Sequence, residues 1–188
     1  MGAKCGLASR RFVTRAHVNA EFKARCWDLE GAVRRSRAAG ARRVGREHQI
    51  DTYYRVTEGR LKIRETGSHA ELVWYFRGDT LRSKRSDVLM LTLRDVPAVK
   101  ATLSRTLGVK VIVDKVRRAY LRENVRVHID QVKGLGDFVE IESVGAASDF
   151  PRLERQAEEM ATDLGLNPRD LIRGSYSDLL LKTRTRRV

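Results

Sequence analysis

The sequence predicts an α+β protein, mainly β, with about eight antiparallel strands and three main helices. Segments in which polar and apolar residues alternate recur along the chain, and this period of two is typical of strands with one buried face. Most of these segments are joined by short connections, which favours antiparallel neighbours. Three other segments have apolar residues at helical spacing behind an aspartate that can cap a helix. Eight strands are about the number at which a sheet closes into a barrel with a small interior. A closed barrel and an open concave sheet therefore both fit the pattern.

The first strand is predicted over residues 18–27, where Asn19, Glu21, Lys23 and Arg25 share one face. Further strands are predicted over 49–56, 61–65, 71–77, 87–93, 111–120 and the two halves of 124–142. Helices are predicted to begin after Asp28, Asp95 and Asp149, and Gly108 and Gly165 are expected to end the second and third. We expect loops at 40–45 and 78–86, of which the second is polar and basic.

Two carboxylates lie close together in the 124–142 stretch. Glu140 and Glu142 are two positions apart on one predicted strand face, which separates them by roughly 7 Å. They repel each other unless a divalent cation or a set of basic side chains lies nearby. Gly134 and Gly136 stand between two strands rather than in front of a helix, so they predict a hairpin turn and not a phosphate-binding loop.

Other predicted strands also carry ionisable residues on one face, namely Glu21 with Lys23 and Arg25, Lys62 with Arg64, Lys115 with Arg117, and Arg126 with Asp130. An ordinary antiparallel sheet with one wet face explains this pattern. Alternatively, the helices cover the aliphatic faces of the strands, and the charged faces converge either on the concave side of an open sheet or in the interior of a closed barrel. Buried cations are costly unless they are paired or meet an anion. A metal-bound polyphosphate would meet both needs, because carboxylates take Mg²⁺ or Mn²⁺ and basic side chains take phosphate oxygens.

The usual signatures of other chemistries are missing from the sequence. It contains no Walker loop and no cysteine and histidine cluster with zinc spacing. His128 lies on a charged strand face, where interior hydrogen bonding is its simplest role. We expect Trp27 and Trp74 in the core, and Cys26 as a buried, unreactive thiol.

The net charge of +14 is concentrated at the two ends of the chain. Residues 1–46 carry 12 basic and three acidic residues and residues 182–188 carry four basic ones, which leaves +1 for residues 47–181. We therefore expect a basic extension over 1–17, a single domain over 18–181 and a basic tail over 182–188. The ends are either simply solvated or make weak contacts with nucleic acid or another polyanion.

Two cysteines and no long apolar run predict a protein of the cytoplasm without a membrane span, although the extension is also compatible with mitochondrial targeting.

The order of the motifs resembles that of the CYTH, or triphosphate tunnel metalloenzyme, family. Residues 19–23 (NAEFK) resemble the ExExK signature of that family, and the order continues through DTYYRV, GRLKIRE, VWYFR, KRSD, DKVRRAY, NVRVHIDQVKGLGDFVEIE and SYSDLL. The resemblance covers residues 18–181 and is closest to the branch named for class IV adenylate cyclases. It implies a closed eight-stranded antiparallel barrel with helices outside, whose tunnel binds a triphosphate together with Mg²⁺ or Mn²⁺.

The resemblance also implies roles for individual residues. The expected metal ligands are Glu21, Glu140 and Glu142. The expected phosphate-binding residues are Lys23, Lys62, Arg64, Arg77, Arg85, Lys115, Arg117 and Arg126. Lys23 and Arg126 are expected to act in catalysis together with Asp130, which would orient a basic residue or a metal-bound water. Asn19 stands where the signature has its first glutamate, which removes one charge and leaves open whether one metal or two are bound.

Three functions follow as hypotheses. The preferred one is metal-dependent hydrolysis of inorganic triphosphate, a nucleoside triphosphate or thiamine triphosphate. The alternatives are a cyclase that converts ATP to cyclic AMP and pyrophosphate, and a non-catalytic module that binds polyphosphate or nucleotides. The expected partner is a small-molecule triphosphate, and we expect a monomer or a homodimer.

Overall fold

Eight antiparallel strands close into a barrel in the computed structural model, which describes residues 14–67, 69–77 and 84–185. The strands are β1 (Thr14–Arg25), β2 (Arg42–Tyr54), β3 (Arg60–Thr66), β4 (His69–Arg77), β5 (Lys84–Leu93), β6 (Val109–Arg122), β7 (Val125–Val132) and β8 (Gly136–Gly145). Around the barrel they follow the order β1-β5-β4-β3-β2-β6-β7-β8. The predicted fold class is confirmed, and the closed barrel is the correct choice between the two arrangements.

In the described part of the chain, four helices lie outside the strands. They are α1 (Leu29–Ala38), α2 (Val96–Thr106), α3 (Phe150–Asp163) and α4 (Tyr176–Thr185), with short 3₁₀ turns at Ala147–Asp149 and Pro168–Asp170. The predicted caps form at α1 and α2, where Asp28 accepts a hydrogen bond from the Gly31 amide and Asp95 accepts one from the Ala98 amide. No helix among the described residues is long and apolar enough to cross a membrane.

The helices cover the aliphatic outer faces of part of the barrel, whereas Phe76 of β4, Leu89 of β5 and Ile112 of β6 remain exposed. Leu153, Ala157 and Met160 of α3 are fully buried in one cluster with Val127 and Ile141 of the barrel. Because strand side chains alternate, covering the aliphatic face turns the charged face of the same strands inward. The packing of the helices thus decides that the barrel has a polar interior.

A second cluster forms under α2. Val96, Val99 and Leu103 of this helix are partly buried against Tyr54 and Ile63 of the barrel. The contact is shallow, since no residue of α2 is fully buried. The helix therefore covers part of the outer face of β2 and β3.

The sequence misplaced several boundaries. The loop expected at 40–45 is wrong, because β2 begins at Arg42 and pairs with β6 from there. Residues 42–44 are all exposed, so their side chains do not alternate between a solvent-exposed and a buried face, and the sequence does not mark them as a strand. The helix α4 was not among the three predicted, because its apolar run is too short to display a helical repeat. Strand β1 begins at Thr14, four residues before its predicted start at 18, and residues 1–13 of the expected extension lie outside the described residues.

The expected burial of three individual side chains also changes. Trp27 is not a core residue: it is 78% exposed, because β1 ends at Arg25 and its alternation does not extend to position 27. Trp74 is half-buried on the outer face of β4. Cys26 is half-buried, and burial raises the pKa of its thiol, which keeps it protonated and unreactive near neutral pH.

Candidate functional site

The barrel encloses a cavity of about 390 Å³, to which every strand contributes inward-facing side chains. This volume lies within the range of about 300–1,000 Å³ that is usual for small-molecule sites. At one end, Tyr176 of α4 packs with Phe138 and Val113 and closes the barrel. Near the opposite end, the side chain of Arg126 is 47% exposed. The cavity is therefore a deep pocket with one closed and one open end.

The chain before α4 fixes the position of Tyr176. The backbone amide of Ile172 donates to the carbonyl of Lys23 at 2.8 Å, and Leu171 forms an isolated β-bridge with Ala24. These contacts attach the C-terminal segment to β1 and direct the first residue of α4 into the barrel. The Lys23 ammonium then lies 4.0 Å from the centre of the Tyr176 ring.

Three cations surround a single carboxylate, that of Asp51. Its oxygens accept hydrogen bonds from Lys62 Nζ at 2.7 Å and Arg64 Nε at 2.9 Å, and Lys115 Nζ lies at 3.5 Å. Burial alone would raise the pKa of Asp51, but Arg64 and the two lysines hold it well below its usual value. One negative charge meets three positive ones here, so the group carries an excess of positive charge that suits an anion.

The two lysines of this group are easily deprotonated. Burial, together with the neighbouring Arg64, lowers the pKa of Lys62 from 10.5 to about 7. Burial and Arg117 lower the pKa of Lys115 to about 8. A phosphate bound beside them would favour the charged forms, because an opposite charge stabilises a protonated amine.

A second group of buried ion pairs lies on β6, β7 and β8. Arg117 donates through Nε and Nη2 to the two oxygens of Asp130 at 2.7 and 2.6 Å, and through Nη2 to Glu140 at 2.5 Å. Lys23 pairs with the other oxygen of Glu140. Burial would raise the pKa of Asp130, but Arg117 and Lys115 lower it to about 2. Asp130 is therefore a permanent anion that holds the Arg117 guanidinium in one orientation.

His128, Glu140 and Glu142 form a group that can hold a metal ion. One potential ligand atom from each lies within 4.8 Å of the other two. His128 Nδ1 is buried without a hydrogen-bond partner among the described residues, 3.7 Å from Glu140 and 3.9 Å from Glu142. These distances are too long for hydrogen bonds. Burial, reinforced by Arg117, lowers the pKa of His128 and favours the neutral ring that binds metals.

Glu21 lies beside this group, because it pairs in register with Glu142 across β1 and β8. One oxygen of Glu21 accepts a hydrogen bond from Ser86 Oγ at 3.2 Å. Burial would raise the pKa of Glu142, but His128, Arg117 and Arg126 lower it, so this carboxylate is ionised at neutral pH. The unpartnered nitrogen and the adjacent carboxylates fit a divalent cation.

Most of the predicted site residues lie around this one cavity. The residues that line it are Glu21, Lys23, Lys62, Arg64, Lys115, Arg117, Arg126, Glu140 and Glu142. Asp130 is fully buried behind Arg117. The side chain of Arg77 lies outside the described residues, although its backbone belongs to β4.

Arg85 is the predicted residue that the structure places elsewhere. Its side chain is 48% exposed on the outside of the barrel and pairs with Asp87 at 3.3 Å. Ser86 faces the cavity, so the residue before it on the strand must face outward. We therefore leave Arg85 out of the site.

Sequence reasoning missed three residues of the site. Asp51 lies on the same strand face as Gln49 and Tyr53, and this was visible in the sequence. Its role was missed because its partners lie on other strands. His128 was assigned to interior hydrogen bonding, whereas its Nδ1 has no such partner. Tyr176 reaches the cavity only through the path of the C-terminal segment, for which no local pattern exists.

Comparison with known proteins identifies relatives along most of the chain. The model of the CYTH domain matches residues 17–176. A protein of Methanocaldococcus jannaschii, provisionally named an adenylate cyclase, is 23% identical over 172 residues, which is 86% of this chain and 98% of that protein.

Solved structures share the fold. The PH1012 protein of Pyrococcus horikoshii OT3 has a TM-score of 0.76 at 23% identity, over 86% of this chain and 98% of its own. HpAC1 of Hippeastrum, described as having a dominant triphosphatase activity, has a TM-score of 0.57 at 12% identity, over 88% of this chain and 94% of its own. At these identities the likeness establishes the architecture. The match of the CYTH domain model to residues 17–176 shows that this chain belongs to the CYTH domain family.

Proposed function

We propose that this protein is a divalent-metal-dependent hydrolase of a triphosphate bound inside the barrel. The observation that carries the proposal is the pairing, in one enclosed cavity, of an excess of buried cations with an adjacent acidic group. Cations suit the phosphate oxygens and carboxylates suit the metal, and a metal-bound triphosphate presents both at once. The family membership and the triphosphatase description of HpAC1 agree with this function.

Different cations of the cavity would bind different parts of the triphosphate. Lys62, Arg64 and Lys115 converge on Asp51 near the closed end, where they would receive the end of the phosphate chain. Arg117 is held by Asp130 and would donate to a phosphate oxygen without first having to be ordered. Arg126, near the open end, is free to adjust because its side chain is half-exposed.

Glu21, Glu140, Glu142 and His128 would hold the metal, which when bound neutralises charge on the phosphoryl oxygens and polarises the phosphorus centre. Lys23 is close to both groups, since its ammonium pairs with Glu140 and lies against the Tyr176 ring that Lys115 also approaches. In this position Lys23 would stabilise negative charge that develops during transfer. Asp130 would act as a positioning residue through Arg117.

The proposal is tested by a substrate panel with the purified protein. Inorganic triphosphate, ATP and thiamine triphosphate are each incubated with Mg²⁺ or Mn²⁺, and orthophosphate, pyrophosphate and cyclic AMP are measured. We expect orthophosphate release that requires the metal and stops on chelation. Protection against thermal unfolding by these compounds without any turnover would contradict hydrolysis and favour the binding module.

The cyclase is retained as a second candidate because of the name of the M. jannaschii relative. In that reaction the ribose 3′-hydroxyl attacks the α-phosphorus and pyrophosphate leaves, so cyclic AMP and pyrophosphate appear in equal amounts. The same assay separates the two functions, because hydrolysis at the terminal phosphorus yields orthophosphate and no cyclic nucleotide.

A further inference from the structure

A run of exposed arginines lies outside the cavity. Residues 34–46 contain six arginines and no lysine, aspartate or glutamate. They belong to the second half of α1 and the start of β2, and all six are exposed. The proposed hydrolysis uses none of them. These residues form what we call the arginine surface: Arg34, Arg35, Arg37, Arg42, Arg43 and Arg46.

The fold brings the two parts of the arginine surface to one side of the barrel. Arg118 of β6 donates to Glu30 in the first turn of α1 at 2.7 Å, and Arg122 of β6 donates to the carbonyl of Ala39, directly after α1, at 3.0 Å. Both ends of α1 are thereby joined to β6. Strand β2 is the hydrogen-bonded neighbour of β6, with Arg46 opposite Arg118. The arginines of α1 and of β2 therefore form one continuous surface beside the same strand.

Arg46 and Arg118 lie on the outer side of the barrel. Their chain neighbours Glu47 and Arg117 line the cavity, and successive side chains of a strand point to opposite faces. Like charges directly opposite each other on antiparallel strands repel. Glu30 compensates Arg118, whereas Arg46 forms no ion pair among the described residues. This part of the surface is therefore suited to an anion that the protein itself does not supply.

The arginine surface carries a large excess of positive charge. Among the described residues, the only carboxylate that pairs with it is Asp28, which lies 3.7 Å from Arg34 and 3.8 Å from Arg35. The cations of the cavity differ, because Asp51, Asp130 and the glutamates are buried among them. An uncompensated charge that faces solvent attracts polyanions. The arginines without a carboxylate partner in the described part of the chain are Arg37, Arg42, Arg43 and Arg46.

The chemistry of the surface indicates which polyanion it fits. Arginine presents a planar fork that matches the oxygens of a phosphate. Residues 34–46 contain no aromatic residue, and Val44 is the one large apolar side chain that they expose. A membrane surface requires inserted apolar groups, a protein interface requires aromatic or apolar anchors, and a single nucleic-acid strand requires aromatic stacking. The phosphates of a duplex lie on its outside and require none of these.

We propose that the arginine surface binds the phosphate backbone of a nucleic-acid duplex without reading its bases. The four arginines that lack a carboxylate partner each take one phosphate. The logarithm of the binding constant should then fall with the logarithm of the salt concentration with a slope of about −3.6, since each phosphate contact contributes about −0.9. Affinity should fall on the order of a hundredfold between about 50 and 200 mM salt.

The first test measures the fluorescence anisotropy of a labelled, mixed-sequence DNA duplex of about 20 base pairs as the full-length protein is added. The variant combines Arg37→Gln, Arg43→Gln and Arg46→Gln. We expect its dissociation constant at low salt to rise at least tenfold and its salt slope to shrink by about 2.7, since three contacts are lost. Absence of binding by the wild type at about 50 mM salt, or an unchanged affinity of the variant, would overturn the proposal.

A second triple variant removes the same amount of charge from a different part of the surface. It combines Arg85→Gln, Arg94→Gln and Arg105→Gln, which are exposed residues on β5, directly after β5 and on α2. We expect its dissociation constant to stay within about threefold of the wild-type value. An equal loss in the two triple variants would show that the duplex responds only to the net charge, and the arginine surface would have no special role.

Arg64→Gln separates the arginine surface from the cavity, because Arg64 lines the cavity. This variant should bind the duplex as tightly as the wild type does. A loss as large as that of the Arg37, Arg43 and Arg46 variant would place the nucleic acid in the cavity and overturn the proposal. Single-stranded DNA of the same length, and vesicles of phosphatidylcholine with phosphatidylserine, should bind more weakly than the duplex. Tighter binding of either one would overturn the choice of a duplex.

The proposal is independent of the hydrolysis proposed for the cavity. The Arg37, Arg43 and Arg46 variant should keep its melting temperature and its rate of triphosphate hydrolysis, because none of the three residues lines the cavity. If that variant unfolds, Arg46→Gln alone decides. It should shrink the salt slope by about 0.9 without lowering the melting temperature, since it also removes the repulsion with Arg118. An unchanged slope in Arg46→Gln would then overturn the proposal.

Discussion

Tyr176, the first residue of α4, donates a hydrogen bond of 2.9 Å to the carboxylate of Asp130 on β7, which in turn holds Arg117 by two hydrogen bonds. The C-terminal helix and the cavity cations are thereby linked through one buried carboxylate. Burial raises the pKa of Tyr176 well above its usual value, so its hydroxyl is a donor at any physiological pH. The orientation of Arg117 therefore depends on a residue outside the barrel strands.

Tyr176→Phe should lower the free energy of unfolding by about 1 kcal/mol, the usual net value of one hydrogen bond. The ring remains to close the barrel, while Asp130 loses one of its three donors. We expect a lower kcat with little change in KM, because Arg117 would be held less firmly during transfer. Urea unfolding and steady-state kinetics check both effects. A variant with unchanged stability and unchanged kcat would refute the link.

Asp51→Asn should destabilise the unliganded protein by about 3 kcal/mol, because Lys62, Arg64 and Lys115 lose the buried carboxylate that they share. A triphosphate brings negative charge to the same cations, so it should raise the melting temperature of the variant more than that of the wild type. Thermal unfolding with and without inorganic triphosphate measures this difference. An equal rise in both proteins would mean that the phosphate chain binds elsewhere.

Stability and triphosphate binding should depend on pH in opposite directions. The pKa values of Lys62 and Lys115 are about 7 and about 8 in the folded protein, against 10.5 for an ordinary lysine. Between pH 7 and 10 the unfolded chain therefore binds more protons, and the free energy of unfolding of the unliganded protein should rise with pH. Over the same range the cations lose charge, so triphosphate affinity should fall.

Lys62→Arg is the control for this pH dependence, because an arginine remains charged throughout the range. Its triphosphate affinity should fall less between pH 7 and pH 9 than that of the wild type. Isothermal titration calorimetry at the two pH values measures both affinities. The change in protonation of the triphosphate itself affects both proteins equally, so it cancels in the comparison. Identical pH profiles would exclude Lys62 as the titrating group.

Glu142→Gln should abolish metal-dependent turnover and weaken Mn²⁺ binding by at least tenfold, while the fold remains intact. The amide keeps the shape of the side chain but removes the charge that faces His128 and Glu140. Glu158→Gln, an exposed site on α3, makes the same chemical change far from the cavity and should have no effect. Mn²⁺ titration followed by electron paramagnetic resonance gives a readout that is independent of turnover. Full activity of Glu142→Gln would remove this residue from the site.

Arg64→Gln and Arg85→Gln test where the phosphate-binding surface lies. Both residues were predicted to bind phosphate, but Arg64 lines the cavity and Arg85 lies outside it. Arg64→Gln should raise KM at least tenfold, because a charged donor to phosphate is lost, whereas Arg85→Gln should leave KM within twofold. A similar rise in both variants would show that the substrate also contacts the outer surface.

The sequence predicted the fold well where the alternation was regular. The strand faces with Lys62 and Arg64, Lys115 and Arg117, and Glu140 and Glu142 all point inward as expected. The prediction failed where a strand lacks a dry face, as at Arg42 in β2, because exposure on both sides removes the alternating pattern.

The site was predicted less completely, for a related reason. The inward direction of Asp51 is a local property, but its contacts with Lys62, Arg64 and Lys115 join three strands whose alignment follows from closure of the barrel. The strand was predicted to begin at 87, whereas β5 begins at Lys84. With the correct start, the alternation of side chains along the strand would have placed Arg85 on the outer face.

The sequence by itself determined which side chains share a strand face, and with them the mixture of cations and carboxylates available to one interior. Alternation is imposed by the geometry of a single extended backbone, so it can be read without knowledge of any partner. Only the tertiary structure decided that the sheet closes and that His128 meets Glu140 and Glu142. It also decided that Tyr176 closes one end and that Asn19 lines the cavity. These relationships depend on strand register and on the path of the C-terminal segment, which arise from contacts between residues far apart in the chain.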